Sequence, residues 1–466
     1  MTEEKLTEEE IEKLLAKAKA PAAEAVKLHP YYEGKMQTVP KCSVWDFDAF
    51  AVWYTPGVAQ ACREIAANPA ESYRMTNRAN TIAVVSDGTR VLGLGDIGPE
   101  AGSPVMEGKS LLFKYLGGVD AFPLVIGNHY GDSPDKARRL TAEEIINFVK
   151  LLQPSVGGIN LEDISKPKCY KVLETLRNDP EVTIPVWHDD AQGTASVVVG
   201  GVMGASHHVG KELDQLKIAM LGVGAANTRT AYVLTAAGVP IKNIVMADSK
   251  GIITSDRPDI IEQKDYDTFK YDLAQRTNSE GLEGDFGIAA EGADVVISAS
   301  KSAPGVLKKE WISKMASDGI VFACANPVPE IWPWVAKEAG ARVIGTGRSD
   351  FDNQINNSLG FPGIFRGTLD VNAKTITDEM CVAAAQAIAD IAIRKGTTDK
   401  YVLPTMDEWE LFPYVAAKVG MKAIEVGVAR KVLEEEELLK IAQEKIKYAR
   451  DLTKSMMDTG FIKPKI

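Results

Sequence analysis

Two pairs of adjacent carboxylates, Glu162-Asp163 and Asp189-Asp190, carry the clearest chemical signal in the chain. The first lies in Ile159-Asn-Leu-Glu-Asp-Ile164. The second lies in Ile184-Pro-Val-Trp-His-Asp-Asp-Ala-Gln-Gly-Thr-Ala-Ser-Val-Val198 and runs through Gly-Thr into a helix of small residues. Carboxylate oxygens are the hard donors that divalent cations take, so two strand ends bearing such pairs could converge on one cation. Lys109 offers a base. It lies in Pro104-Val-Met-Glu-Gly-Lys-Ser110, at the expected start of a helix that continues through the apolar run Leu111–Leu116. Most lone lysines are solvated surface residues. One that is partly desolvated near a helix N-terminus has its charged form disfavoured and its pKa lowered, which makes it a usable general base. Tyr54, in Tyr54-Thr-Pro-Gly-Val-Ala59, is a phenol beside a turn, and taken alone it reads as a core tyrosine.

The elements that must position these groups alternate. Helices are expected over 7–19, where Thr7 and Glu10 make a capping-box pattern, and over Val58–Ala67, Thr141–Leu152 with Thr141 as N-cap, Pro167–Arg177 and Thr194–His208. Strands are expected at Thr81–Val85, Ala121–Ile126, Gly158–Leu161 and Val182–Val186. Strand–helix alternation implies a partly parallel α/β sheet. Ligands of such sheets bind outside the carboxyl ends of the strands, where both acidic pairs sit. Thr81–Val85 and Arg90–Leu94, joined by Ser86-Asp-Gly-Thr89, read as a hairpin. Its second strand runs into Gly93-Leu-Gly-Asp-Ile-Gly98, a literal G-x-G-x-x-G. Because Pro99, Gly102 and Pro104 follow and no clean helix is expected there, this match reads as a decoy.

The better nucleotide signal is Lys217-Ile-Ala-Met-Leu-Gly-Val-Gly-Ala-Ala-Asn227, a strand, a turn, and a helix expected over Thr228–Ala237. The strand Asn243–Ala247 then ends in Asp248, completing a βαβ unit with an acidic residue at the right place. Backbone N–H groups of Gly222, Gly224, Ala225, Ala226 and Asn227 would hold a pyrophosphate. Asn227 stands where a third Gly or Ala is usual, so looser helix–strand packing is expected. Asp248 would accept from adenosine ribose hydroxyls, which favours NAD. Ser249 and Lys250 could hold a 2′-phosphate, which leaves NADP open. Further strands are expected at Ala293–Ser298, Gly319–Ala323 and Val343–Thr346. The loops after them, with Asn326 and with Asn353 to Asn357, are rich in amides that suit a carboxylate and a nicotinamide, or merely turns. Residues 375–429 read as helical. A final helix from about Val432 carries Leu438, Ala442, Ile446 and Ala449 on one face, for its own domain or for a partner subunit.

The 466 residues therefore divide as an α/β protein of two domains. An N-terminal α/β catalytic domain spans 1–193, a Rossmann-like doubly wound parallel sheet for NAD(P) spans 194–372, and a C-terminal helical extension spans 373–466. A net charge of −11 and a pI near 5.2 argue against nucleic acid or an anionic membrane as partner. Five scattered cysteines without a C-x-x-C pair suit a reducing compartment. No apolar run reaches membrane-spanning length, and the acidic N-terminus has no signal or transit pattern, so a cytoplasmic protein is expected.

Seven motifs in one order resemble the malic enzymes, most nearly the short bacterial and archaeal form. They are Tyr54-Thr-Pro-Gly-Val, Val91-Leu-Gly-Leu-Gly-Asp-Ile-Gly, Pro104-Val-Met-Glu-Gly-Lys, Asn160-Leu-Glu-Asp-Ile, His188-Asp-Asp-Ala-Gln-Gly-Thr-Ala, Gly347-Arg-Ser-Asp and Phe361-Pro-Gly-Ile-Phe-Arg-Gly. The resemblance covers roughly residues 30–430. It implies oxidative decarboxylation of L-malate to pyruvate and CO2, with reduction of NAD(P) and a bound Mn2+ or Mg2+. By the family's pattern Glu162, Asp163 and Asp190 are the metal ligands, Lys109 the general base, Tyr54 the general acid and Asp189 the group that positions Lys109. Arg90 anchors a substrate carboxylate, and Asn326, Asn356 and Asn357 serve substrate and nicotinamide. A homodimer or homotetramer is implied. Ala191-Gln192 replaces the Gln-His frequent in short forms, and Asn227 alters the dinucleotide loop. Two rival readings are a malolactic-type lyase that keeps its NADH through the cycle and a non-catalytic dinucleotide-binding protein.

Overall fold

Two parallel sheets organise the chain, one before and one after the Thr194–Val209 helix in sequence. The computed structural model describes residues 8–127 and 139–466. The first sheet has strand order β2-β1-β3-β4, with β1 at Thr81–Ser86, β2 at Asp120–Val125, β3 at Gly158–Leu161 and β4 at Val186–His188. Every pairing in it is parallel; Ile82 lies opposite Ala121 on one side and Gly158 on the other. All residues of β1 are buried. That suits a central strand covered on both faces, which reads as an unbroken apolar run.

The expected hairpin is not formed. Arg90–Leu94 is no strand; it belongs to a tight turn closed by Val91 N–H to Gly95 O (2.9 Å) and Leu94 N–H to Val91 O (2.9 Å). Both edges of β1 are already taken, by β2 and β3, so no edge is left for a returning strand, and Asp87 at the sheet's end accepts from Thr89 Oγ1 (2.7 Å) and pairs with Lys168. The expectation of no helix after Gly98 is also corrected. A helix runs from Pro99 to Gly117, with Pro99 at its first position, where a missing N–H costs nothing. Lys109 therefore sits mid-helix on the buried face with Met106, Ser110 and Phe113. The N-terminal helix spans Glu8–Tyr32, and the capping residue Thr7 lies outside the described residues. Ala142–Leu152 starts as expected, with Thr141 and Glu144 in a reciprocal capping box.

The second sheet has order β10-β9-β8-β5-β6-β7: Val343–Thr346, Ile320–Ala323, Val295–Ser298, Ile218–Leu221, Ile244–Asp248 and the short antiparallel Gly251–Ile252. The helix after β5 opens at Ala225, earlier than expected, and runs to Ala236. The stretch expected to be helical over 375–429 is two helices, Asp378–Lys395 and Leu411–Glu425. The last helix, Glu435–Asp458, buries Leu438, Ala442, Ile446 and Ala449 on its own chain, against the Leu411–Glu425 and Pro99–Gly117 helices.

Glycine sets one of these helix contacts. A Cβ on Gly367, in the Phe361–Asp370 helix, would lie 2.1 Å from Ala416 O and 3.1 Å from Ala416 Cα. Both atoms are backbone and cannot swing aside. Gly367→Ala is expected to destabilise the fold by about 2–3 kcal/mol, measured by urea unfolding.

Candidate active site

The two acidic pairs meet at the carboxyl ends of β3 and β4. Leu161 ends β3, and Glu162 N–H bonds Val85 O (2.9 Å) on β1. The chain then turns at Asp163, whose φ of 53° is unusual for a non-glycine residue. That turn aims the Asp163 N–H at Asp190 Oδ2 (2.8 Å) and lets Asp163 O accept from Arg90 N–H (2.9 Å). Past β4, Asp189–Gly193 forms one wide turn of π-type helix, an irregularity frequent at functional sites. Lys109 reaches in from its helix: its ammonium lies 2.6 Å from Asp189 Oδ2, 3.0 Å from Glu162 Oε1 and 4.3 Å from the centre of the Phe361 ring. Trp187 Nε1 donates to Asp189 Oδ1 (3.0 Å), and Asn160 Nδ2 to Glu162 Oε2 (2.8 Å).

Lys109, Glu162, Asp163 and Asp189 are each less than a tenth exposed. Burial pushes the Glu162 carboxyl well up, opposed by Lys109 and reinforced by Asp190, Asp189 and Asp163. Burial, with Asp190 beside it, pushes Asp163 up to about 8. The lowered lysine pKa expected from the sequence is reversed. Burial does lower it, but Asp189, Glu162 and Asp190 together outweigh burial and hold the proton on Lys109. Four carboxylates thus face one ammonium. Among the described residues no three are already set at metal-ligand spacing. Yet Asp163 Oδ2 is buried with no hydrogen-bond partner among the described residues, and the crowded carboxyls favour any added positive charge. The donor set is all oxygen, the chemistry that Mn2+ or Mg2+ takes.

The Gly222–Asn227 loop, the expected dinucleotide site, lies at the end of β5. Asn227, far from loosening it, is buried, and its amide donates to Leu221 O (2.9 Å) and Gly222 O (3.0 Å). The polar side chain replaces with hydrogen bonds what a small residue would supply by close packing. Asp248 ends β6, gripped through both oxygens by Arg257 (3.0 and 2.9 Å) and by Lys270 (2.7 Å). Although burial opposes it, these bonds hold the Asp248 carboxyl below the usual range.

Other expected site residues divide. Asn357 lies beside the acidic turn, its Cβ 3.4 Å from where a Cβ on Gly193 would be, while Asn356 caps a turn with its Oδ1, which accepts from Ser358 N–H (2.9 Å). Asn326 donates to Gly347 O (3.2 Å). Gly93 of the first half approaches Asn326 so closely that a Cβ there would lie 2.8 Å from Asn326 O. Gly93, the first glycine of the G-x-G-x-x-G match, thus serves a contact between the halves. Arg90 is exposed, its side chain donating to Leu92 O (2.9 Å). Tyr54 is 72% exposed and has no side-chain hydrogen bond to the acidic cluster among the described residues. Sequence reasoning missed Trp187, Asn160 and Phe361. The first two could have been found, since each lies on the strand two residues before a key carboxylate just past that strand's end.

Comparison with known proteins bears on the whole chain. The family described as malic enzyme, N-terminal domain, matches residues 33–177, and that described as malic enzyme, NAD binding domain, matches 191–336 and 341–426. The chain is 46% identical, over 85% of its own length and 78% of the relative's, to an NAD-dependent malic enzyme of Geobacillus stearothermophilus. It is 43% identical, over 89% of its length and 96% of the relative's, to a bifunctional malic/malolactic enzyme of Bacillus subtilis. The crystal structure of Entamoeba histolytica malic enzyme is similar with a TM-score of 0.91 at 44% identity, covering 97% of this chain and 93% of that one.

Proposed function

This chain belongs to the malic enzyme family, whose reaction is the oxidative decarboxylation of L-malate to pyruvate and CO2 with reduction of NAD(P), and we propose which of its residues carry that reaction. Glu162, Asp163 and Asp190 hold a divalent cation, Mn2+ or Mg2+. The observation behind this assignment is the hydrogen bond from Asp163 N–H to Asp190, which brings both acidic pairs to one point beside Lys109. When bound, the cation would supply Lewis-acid polarisation of the malate 2-hydroxyl and stabilisation of the charge that decarboxylation leaves on the C2 oxygen, and the nicotinamide would supply the hydride acceptor.

Lys109 takes the proton of the 2-hydroxyl. Glu162 is one of the two carboxylates that hold its ammonium, so Glu162 engaged with a cation would hold the lysine's proton less firmly. Asp189 keeps the amine in place, itself held by Trp187. Tyr54 returns a proton to C3. Arg90, on the turn hydrogen-bonded to Asp163, anchors a substrate carboxylate, and Asn326, Asn356 and Asn357 contact substrate and nicotinamide. The N–H groups of Gly222, Gly224, Ala225, Ala226 and Asn227 hold the pyrophosphate. Asp248, kept ionised by Arg257 and Lys270, accepts the ribose hydroxyls and favours NAD, with NADP the alternative that the nearby cations admit.

The proposed domains are 1–193 for catalysis, 194–372 for NAD(P) and 373–466 as the helical extension; the first sheet ends at His188 and the second spans Ile218–Thr346, in support. The protein acts as a homodimer or homotetramer in the cytoplasm. Trp45, Phe47, Phe50, Trp53 and Tyr54 form an exposed aromatic arm that a second copy would cover, desolvating Tyr54 as it did so. No helix among the described residues is long and apolar enough to cross a membrane.

Malate-dependent NAD reduction that needs Mn2+ and stops on chelation is the expected assay result. Asp190→Ala should abolish the metal-dependent turnover while NADH affinity stays within about twofold, because the Asp190 side chain bonds Asp163, neighbours His188 and, among the described residues, bonds no group of Gly222–Asn227. Normal activity in that variant would remove the ligand assignment. Assaying lactate beside NADH tests the malolactic reading, which the name of the Bacillus subtilis relative keeps in view.

A further inference from the structure

A lysine with no part in the chemistry above crosses from one half of the molecule to the other. Lys166 stands on the loop between β3 and the Lys168–Asn178 helix, shortly after Glu162 and Asp163. Its side chain is only 12% exposed. The ammonium donates to Val223 O (2.9 Å) and Thr228 Oγ1 (3.1 Å) and pairs with Asp267 Oδ2 (3.1 Å). An ammonium has three protons, and all three acceptors belong to the second half. A neighbour reaches the same way: Tyr170 Oη donates to Ala225 O (2.7 Å).

The carbonyls so held are those of the dinucleotide loop. Asn227 holds Leu221 O and Gly222 O, Lys166 holds Val223 O, and Tyr170 holds Ala225 O. A trans peptide points its C=O and N–H in opposite directions. Drawing the Val223 carbonyl toward the catalytic half therefore turns the Gly224 N–H away from it. Val223 and Gly224 precede the first helical residue, Ala225, so no helical hydrogen bond fixes this peptide. Asp267 extends the connection. It caps the Thr268–Arg276 helix by accepting from Lys270 N–H (3.1 Å), and Lys270 grips Asp248.

We propose that Lys166 is a positioning residue for the dinucleotide, which holds the Val223–Gly224 peptide with its N–H toward the pyrophosphate and ties the cofactor loop to the loop bearing Glu162 and Asp163. The proposal rests on the reading of Gly222–Asn227 as the pyrophosphate loop. It makes the cofactor site a joint product of both halves, with one donor group supplied from outside the nucleotide-binding unit.

Lys166→Met keeps most of the apolar stem and removes the ammonium. NADH affinity, followed by cofactor fluorescence, is expected to fall about tenfold, the weight of one charged hydrogen bond. ADP-ribose, which carries the pyrophosphate without the nicotinamide, should weaken equally by calorimetry, and adenosine should not. KM for malate at saturating NAD should stay within about twofold, and Lys166→Arg should recover most of the NADH affinity. NADH binding by Lys166→Met within twofold of wild type overturns the proposal. So does a loss for NADH that spares ADP-ribose, or a loss in NADH and malate alike with a matching fall in Tm. Should the Met variant not fold, Lys166→Gln, which is neutral with a single amide, carries the same expectations. Wild-type protein that binds no NADH would instead overturn the reading of the loop itself, and this proposal with it.

Discussion

Lys109→Met is expected to lower kcat for malate by about a thousandfold, the usual weight of a positioned general base. Among the described residues no other amine stands in its place, since Glu162 and Asp189 pair with no other cation there. The substitution also leaves both buried carboxylates facing each other without the ammonium between them. Breaking a buried pair by removing one partner costs about 3–5 kcal/mol, so the metal-free variant should melt well below the wild type. Mn2+ should then restore more of its Tm than it adds to the wild type, since added positive charge replaces what the lysine supplied. A variant that kept a tenth of the wild-type kcat would remove Lys109 from the role of base. One whose Tm did not respond to Mn2+ would argue against a cation among these carboxylates.

Gly193→Ala should be nearly as damaging although it adds a single carbon. The new Cβ would lie 1.9 Å from Asp189 Oδ1 and 2.7 Å from its Cγ. Asp189 cannot swing aside, being fully buried and held by Trp187 on one oxygen and Lys109 on the other. The wide turn must open or the carboxylate must leave the amine. A shift of about 1 Å in a catalytic group is enough to lower kcat roughly a hundredfold. NADH affinity should fall far less than kcat, because the clash falls on Asp189 and not on the Ala225–Ala236 helix against which this turn packs. A normal kcat in this variant would show that the position of Asp189 does not govern Lys109.

The parts of this arrangement legible in the sequence are those in which one short segment carries the whole signal. The unit from Ile218 through Gly222 and Gly224 to Asp248 was recognisable because its strand, turn and helix are contiguous. The acidic pairs were recognisable because each stands at the end of an apolar run. The misread hairpin shows where local reasoning fails. Ser86-Asp-Gly-Thr89 has the composition of a reversing turn, but both edges of β1 are filled by strands from farther along the chain, Asp120–Val125 and Gly158–Leu161. Lys109 was placed at a helix start because Pro104 looks like a boundary; burial of Met106, Ser110 and Phe113 on its face stabilises the helix through that proline. The direction of the lysine's pKa was misjudged for a related reason, since the three carboxylates that reverse it come from the β3 and β4 ends. Lys166 reads as an ordinary lysine because all its acceptors lie in a distant part of the chain.

The last helix also constrains the order in which the molecule can be assembled. Arg366 is fully buried against Asp370, and Lys445 of the Glu435–Asp458 helix reaches that same carboxylate (2.6 Å). That helix lies against the one bearing Lys109 and beyond the residues matched by either family description. On the ribosome, the half that emerges first thus lacks a supporting wall until the Glu435–Asp458 helix leaves the exit tunnel. Until then its amine and carboxylates have the right neighbours in sequence but no finished backing, so competence waits for a helix translated more than 200 residues after Asp190.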